Sequence, residues 1–498
     1  RHLKTAILRR LGCGEKAAAY AGEALEADMF NFGCLFERYL LSGREADLEA
    51  FATLMRRDSH NWEELALDYL DAGFCDETEQ VLLLAQRYCT AVSPLVYYYL
   101  GYARMLAGKD AAAAEAFAAG AAKEPGTCFP NRLEAILALK AAIAVNPGDA
   151  KAWYYLGNLW YDKRQHGDAI AAWERSVEID PTFPTALRNL ALGYFNKQDR
   201  RDEAVALLER AYSLDPSDSR ILMELDQLYK RLNRAHGERL AFLDAHRAEV
   251  DDRDDLYLEY VTLLNQLERY DEARALIDNR KFHPWEGGEG KVPAQYQIAR
   301  TELAKEAIAA GRREDAVALL EACFVYPHNL GEGKLRGAQE NDFNYWLGVA
   351  YAGMGDRSAA ERCFTLASEG QSDPTDARYY NDQKPDKIFY QGLALLQLGR
   401  ADEARGRFDK LVAYGEKHLS DDVKIDYFAV SLPDLLIWED DLNRRNRIHC
   451  NYMMGLGHLG LGNRDLALKF LEAAAALDNN HQGVAAHLKM ARENALGL

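Results

Sequence analysis

Three prolines set the scale of this chain. Pro147, Pro181 and Pro216 stand 34 and 35 residues apart, and the stretches that end on the last two align. Ala150 to Pro181 reads AKAWYYLGNLWYDKRQHGDAIAAWERSVEIDP, and Pro184 to Pro216 reads PTALRNLALGYFNKQDRRDEAVALLERAYSLDP. Apolar residues recur at helical spacing, so each stretch predicts a helix, a turn and a second helix. In the first, Trp153, Leu156, Trp160 and Trp173 are large where a helix pair needs filling. Gly157 and Ala169 are small where the two helices must approach, and Pro181 stops the second helix.

The pattern resembles the tetratricopeptide repeat (TPR), about 34 residues of helix–turn–helix. It recurs at Leu100–Gly101 with Ala113 and Phe117, and more weakly at Leu65–Ala66 with Leu82 and Ala85. Downstream come Leu225–Tyr229–Phe242, Tyr260–Leu264–Ala273–Ile277, Leu303–Ala307–Ala316–Leu320 and Leu347–Gly348–Ala360–Phe364. Gly392–Ala404–Phe408 and Gly455–Ala467–Leu471 complete the series. The expected fold is all-α, an α-α superhelix (TPR solenoid) with long inter-repeat loops in its C-terminal half. Each unit would bury its apolar face by stacking on its neighbours, leaving a concave groove. Residues 1–58 read as a helical cap of degenerate repeats, 59–278 as a repeat array and 279–498 as an array with inserted loops. The three are expected to form one continuous solenoid. Residues 126–147 read as half a unit.

Composition narrows the partners. The 498 residues carry a formal net charge of −18, which repels phosphate backbones and anionic membranes. No apolar run reaches the roughly 18 residues needed to span a bilayer. Eight scattered cysteines contain no C-x-x-C and suit a reducing compartment, so the expected location is cytoplasmic. The start, RHLKTAILRRLGCGEK, has no signal pattern and no Met, and reads as the edge of a piece of a longer protein. No zinc-protease, EF-hand or Walker motif occurs, so no metal and no cofactor is expected. Gly455, Gly457 and Gly460 spell G-x-G-x-x-G, but they fall where a first helix belongs rather than between a strand and a helix.

Four connectors break the rhythm: 280–292 (RKFHPWEGGEGKV), 326–341, 369–386 and 415–447. All run from a second helix to the next first helix. Insertions at one phase should leave a solenoid on one edge and build one surface there. Their candidate binding residues are His283, Trp285, Glu286, Glu289, His328, Asn329, Glu332, Lys334, Tyr379, Tyr380, Asp426, Tyr427, Asp434, Trp438 and Glu439. Aromatic faces beside carboxylates and amides suit a sugar, a peptide or a neighbouring domain. The plainer reading is that Trp285 and Trp438 plug gaps between repeats and the glycines turn the chain. On the concave face, Asn158, Asn189 and Arg220 resemble parts of the clamp by which chaperone-binding TPR domains hold a C-terminal carboxylate. Tyr154 and Glu224 stand where that clamp is usually basic.

KFHPWEGGEG, YPHNLGEGKL, FYQGLALLQLGR and DDVKIDYFAVSLPDLLIWEDDLNRRNRIHC resemble the C-terminal region of a bacterial family of unknown function. There a galactose-mutarotase-like β-sandwich precedes a long TPR region. The resemblance runs from the LLSG near residue 40 onward and implies a carbohydrate-related parent; the β-sandwich is absent here. It carries over no catalytic residue. The leading expectation is a non-catalytic scaffold for protein or inter-domain contact. The alternative is an accessory region whose loop edge completes a sugar site on the missing domain.

Overall fold

A computed structural model describes residues 1–126, 128–285, 287–376, 382–424 and 437–496. Among them every regular element is a helix, and the backbone forms no sheet. The chain divides into two compact units, Arg1–Leu214 and Asp215–Leu498. The sequence boundary at 278/279, where the long insertions begin, falls inside the second.

The first unit is built of antiparallel helix pairs: α1 (His2–Arg10) with α2 (Gly14–Ala27), α3 (Phe32–Ser42) with α4 (Glu45–Met55), and α5 (Ser59–Asp71) with α6 (Cys75–Tyr88). Then come α7 (Pro94–Leu106) with α8 (Asp110–Ala121), a lone α9 (Glu134–Val145), α10 (Ala150–Asp162) with α11 (His166–Ile179), and α12 (Pro184–Gln198) with α13 (Arg201–Leu214). The half unit expected at 126–147 is α9, which packs between α7 and α10 and has no second helix of its own. The first 58 residues pair like the rest. Arg9 ties them in, bonding Glu37 of α3 at 2.6 Å and Glu77 of α6 at 2.6 Å, while the Tyr69 hydroxyl of α5 donates to Glu37 at 2.9 Å.

Helix starts follow local chemistry. Pro94 and Pro184 open α7 and α12, where a missing N–H costs nothing. The Asp149 carboxylate accepts from the Ala152 amide at 3.0 Å and caps α10; it also accepts from the Tyr98 hydroxyl at 2.9 Å, which fixes α10 against α7.

The second unit holds α14 (Ser219–Arg231), α15 (His236–Ala245), a short α16 (Arg247–Asp252), α17 (Asp254–Gln266) paired with α18 (Tyr270–Asp278), and α19 (Lys291–Ala309) paired with α20 (Arg313–Ala322). It continues with α21 (Asn341–Met354) and α22 (Arg357–Ser368), α23 (Pro385–Gln397) and α24 (Ala401–His418), α25 (Leu442–Gly460) and α26 (Arg464–Leu477), and ends on α27 (Gln482–Glu493).

One spacing carries the repeat register through both units. A glycine on the first helix faces a large side chain sixteen residues later on the second: Gly101 and Phe117, Gly157 and Trp173, Gly348 and Phe364, Gly392 and Phe408, Gly455 and Leu471. A Cβ on Gly157 would stand close against the Trp173 indole, too near for any side chain without a shift. Replacing Gly157 by leucine is therefore expected to cost about 3 kcal/mol through overpacking. A denaturation midpoint equal to that of the unaltered chain would show the register to be wrong. The G-x-G-x-x-G of α25 belongs to the same packing: Gly455 faces Leu471 of α26, while Gly457 and Gly460 face Val412 and Phe408 of α24. These glycines lie inside a helix and form no phosphate-cradling turn.

Candidate protein-binding surfaces

The four long connectors join α18 to α19, α20 to α21, α22 to α23 and α24 to α25, one phase of the repeat throughout. Glu286, Tyr379, Tyr380, Asp426, Tyr427 and Asp434 lie outside the described residues. The rest show how the connectors hold each other. The Phe282 amide donates to the Asn329 carbonyl at 2.8 Å, and Phe282 itself is buried. Asn329 spends its amide hydrogens on the carbonyls of Ile277 and Arg280, at 2.9 and 3.0 Å. Glu332 accepts from the Gly290 amide at 2.7 Å, so two successive connectors are stitched at both ends. The third joins through Gln339, which bonds the Asp382 carbonyl at 2.9 Å and the Lys384 amide at 3.0 Å. Lys334 folds back on Glu340 and the Phe324 carbonyl.

The unusual composition of 280–292 now has a reason. Gly287 and Gly290 hold left-handed turns, with φ of 79° and 73°. Gly288 lies beneath the half-buried Trp285 indole, where a Cβ would collide with the ring. His283, His328 and Glu289 remain exposed, with the His283 ring 3.1 Å from Asp254.

Trp438 departs from the loop-edge platform and matches the plainer reading of a plug: it is 2% exposed, and its indole donates to the Glu224 carbonyl of α14 at 3.0 Å. It plugs the seam between the last connector and the first helix of the second unit. Beside it Asp440 pairs with Arg231 at 2.7 Å, while Glu439 points to the surface.

That seam is longer than one residue. The turn between α26 and α27 also reaches α14 and α15. Asn480 donates to the Lys230 carbonyl at 3.1 Å and accepts from Arg239 at 2.8 Å. Arg239, fully buried, forks onto Asp226 at 3.0 and 2.7 Å and onto Glu259 at 2.7 Å. Burial alone would raise the Glu259 carboxyl, but Lys230 and Arg239 beside it hold it down to about 2. This polar cluster was not singled out from sequence.

Beyond the turn, α27 lies across the first helices of the unit. His487 packs on Phe389 and Tyr390 of α23 and Tyr452 of α25, and Gln482 bonds Gln295 of α19 at 2.7 Å. The Leu496 carbonyl accepts from the Tyr345 hydroxyl of α21 at 2.6 Å. The inner face of the second unit is thus filled by its own C-terminal helix.

The first unit offers a different inner face. Asn158 on α10 and Asn189 on α12 are both half-buried and bonded to each other at 2.9 Å. The Asn158 carbonyl oxygen also accepts from the Trp173 indole at 3.0 Å, and Arg188 donates to Asn189 at 3.0 Å. Two successive first helices therefore carry oriented amides, with the Asn158 amino group left as a donor. Arg220 belongs to the second unit, where its guanidinium is held by Glu224 at 3.0 Å. The expected clamp is thus split between the units, and its cation is already paired.

Among the described residues no group of three or more His, Cys, Asp or Glu could hold a metal, and no helix is long and apolar enough to cross a membrane. All eight cysteines are free, and Cys34, Cys128, Cys323 and Cys450 are buried.

The tetratricopeptide-repeat family signature matches residues 131–184, which span α9 to the start of α12. The PEX5-related protein of Mus musculus is 30% identical over 125 residues, 21% of this chain and 22% of the relative. The peroxisomal targeting signal receptor of Komagataella phaffii is 42% identical over 78 residues, 16% of this chain and 13% of the relative. The chain thus spans about a fifth or less of the length of these curated relatives. Among solved structures, MamA is 23% identical with a TM-score of 0.18, covering 43% of this chain and 96% of its own. YrrB, described as a TPR protein with an unusual peptide-binding site, is 16% identical with a TM-score of 0.19, covering 44% and 87%. Residues 131–184 therefore carry a tetratricopeptide-repeat signature, within a chain whose described regular elements are all helices.

Proposed function

We propose that this chain is a scaffold that binds a peptide segment of a partner protein along α10 and α12. The observation that carries this reading is the Asn158–Asn189 pair. Trp173 and Arg188 hold the two amides in place, so they meet a ligand already oriented, and less side-chain entropy is lost on binding. With its carbonyl oxygen committed, Asn158 presents a donor, which suits the backbone carbonyls of an extended peptide. The signature and the curated relatives support protein partners, and one of those relatives is by name a receptor for a targeting signal. No described observation favours a sugar site on the loop edge. Trp438, one of its platforms, is under α14, and the Asn329 amide is spent on backbone.

The test is a random peptide library displayed against the whole chain, with affinities then measured for the enriched sequences. Asn158→Ala is expected to weaken binding by about tenfold or more, the loss of about one well-made hydrogen bond and of its orientation. Thermal stability should fall only modestly, by about 1–2 kcal/mol, because the Trp173 indole loses its acceptor while no core volume is emptied. Equal affinity in the variant would remove the site from α10.

A further inference from the structure

The start of α27 is built on two histidines that both need to be neutral. His481 caps the helix: its Nδ1 accepts from the Val484 amide at 3.0 Å. A backbone amide can only donate, so this nitrogen must be bare. His487 lies six residues on, nearly two turns along the helix. Its Nδ1 donates to the Gly483 carbonyl at 2.7 Å and also lies 3.1 Å from the Tyr452 hydroxyl. Its Nε2 is buried without a hydrogen-bond partner. Protonation would put a new N–H and a charge into that dry site. A proton on His481 Nδ1 would point at the Val484 amide and remove the cap.

We propose that α27 is a pH-sensitive latch: docked across the inner face of the second unit near neutral pH, and released from it when His481 and His487 take up protons in mild acid. Release would uncover Phe389, Tyr390 and Tyr452, which His487 now covers.

Asp478 and Asp386 favour protonation of His481, and a charge on it would in turn oppose one on His449 of α25. Asp386 of α23 and Glu302 of α19 favour protonation of His487, while Lys305 of α19 opposes it. Tyr390 and Tyr452 stay neutral across this range, since burial raises both phenols further. Asp386 is itself near Lys387, at 3.6 Å. Burial outweighs the carboxylates, and both histidines are lowered from their usual value. A lowered histidine stabilises the docked state above its free value of about 6.5, and that advantage is lost as pH falls below it. At the surface Lys489 pairs with Glu268 at 2.7 Å, a contact that raises the lysine and keeps it charged in this window.

Hydrogen exchange of the whole chain at pH 7.5 and pH 5.5, expressed as protection factors to remove the intrinsic rate, tests the latch. Amides of 484–492 are expected to lose about tenfold protection for each histidine that titrates, up to about a hundredfold, while α10 and α11 keep theirs. In the double variant His481→Asn, His487→Phe, which retains a capping oxygen and the ring packing, the loss should vanish. Should that variant fold poorly, His481→Asn alone should reduce the loss to about tenfold. Unchanged protection of α27 at pH 5.5, an equal loss throughout the chain, or the same acid response in the variants would each overturn the proposal.

Discussion

Replacing Arg239 by methionine is expected to cost the second unit about 3–5 kcal/mol, the range for removing one partner of a buried ion pair. The side chain is fully buried, and it bonds both oxygens of the equally buried Asp226. Its loss leaves that carboxylate without its fork, releases Glu259 from one of its two cations, and frees Asn480 from α15. Urea denaturation followed by exchange of α14–α17 amides reads the effect locally, which matters in a chain of two units. A second substitution, Asp226→Leu, should recover much of the loss, because the penalty is mostly an unpaired charge. A stable single variant with unchanged exchange in α14 would contradict this account of the seam.

Trp438→Ala should have a comparable effect, about 3–5 kcal/mol for emptying a buried indole site. The ring is 2% exposed and its N–H satisfies the Glu224 carbonyl, so both a cavity and an unpaired acceptor result. The measurement also separates the two sequence readings of this residue. A plug loses stability when truncated. A surface platform would keep its stability and lose only a ligand.

The repeat was legible because its signals are local. Prolines every 34 or 35 residues, and a glycine facing a large residue sixteen positions on, are fixed by the geometry of two helices in contact. The half unit at α9 was visible as a missing second helix. The seam was not, because it joins residues more than 200 apart, such as Trp438 to Glu224 and Asn480 to Arg239. Yet one trace of it stands in the sequence. The fourth residue of the second helix is alanine at Ala113, Ala169, Ala204, Ala273, Ala316, Ala360, Ala404 and Ala467. In α15 that position is Arg239. A buried charge where the other repeats carry alanine marks a place where another part of the chain must supply its partners.

The connectors misled for a related reason. Aromatics, carboxylates and amides in loops serve ligands and loop–loop bonding alike, and composition does not separate the two. Asn329, Glu332 and Trp438 are used within the fold. His283, His328 and Glu289 are left at the surface.

The proposed binding face lies on the first helices of the first unit, while the second unit fills its own inner face. A hydrogen-exchange footprint of the peptide selected from the display library, taken on the whole chain at neutral pH, tests this most directly. Slowed exchange is expected in α10 and α12, with unchanged exchange along α21, α23 and α25, where α27 already lies. Slowed exchange confined to the connectors at 279–290 and 323–340, or displacement of α27 with no change in α10 and α12, would contradict it.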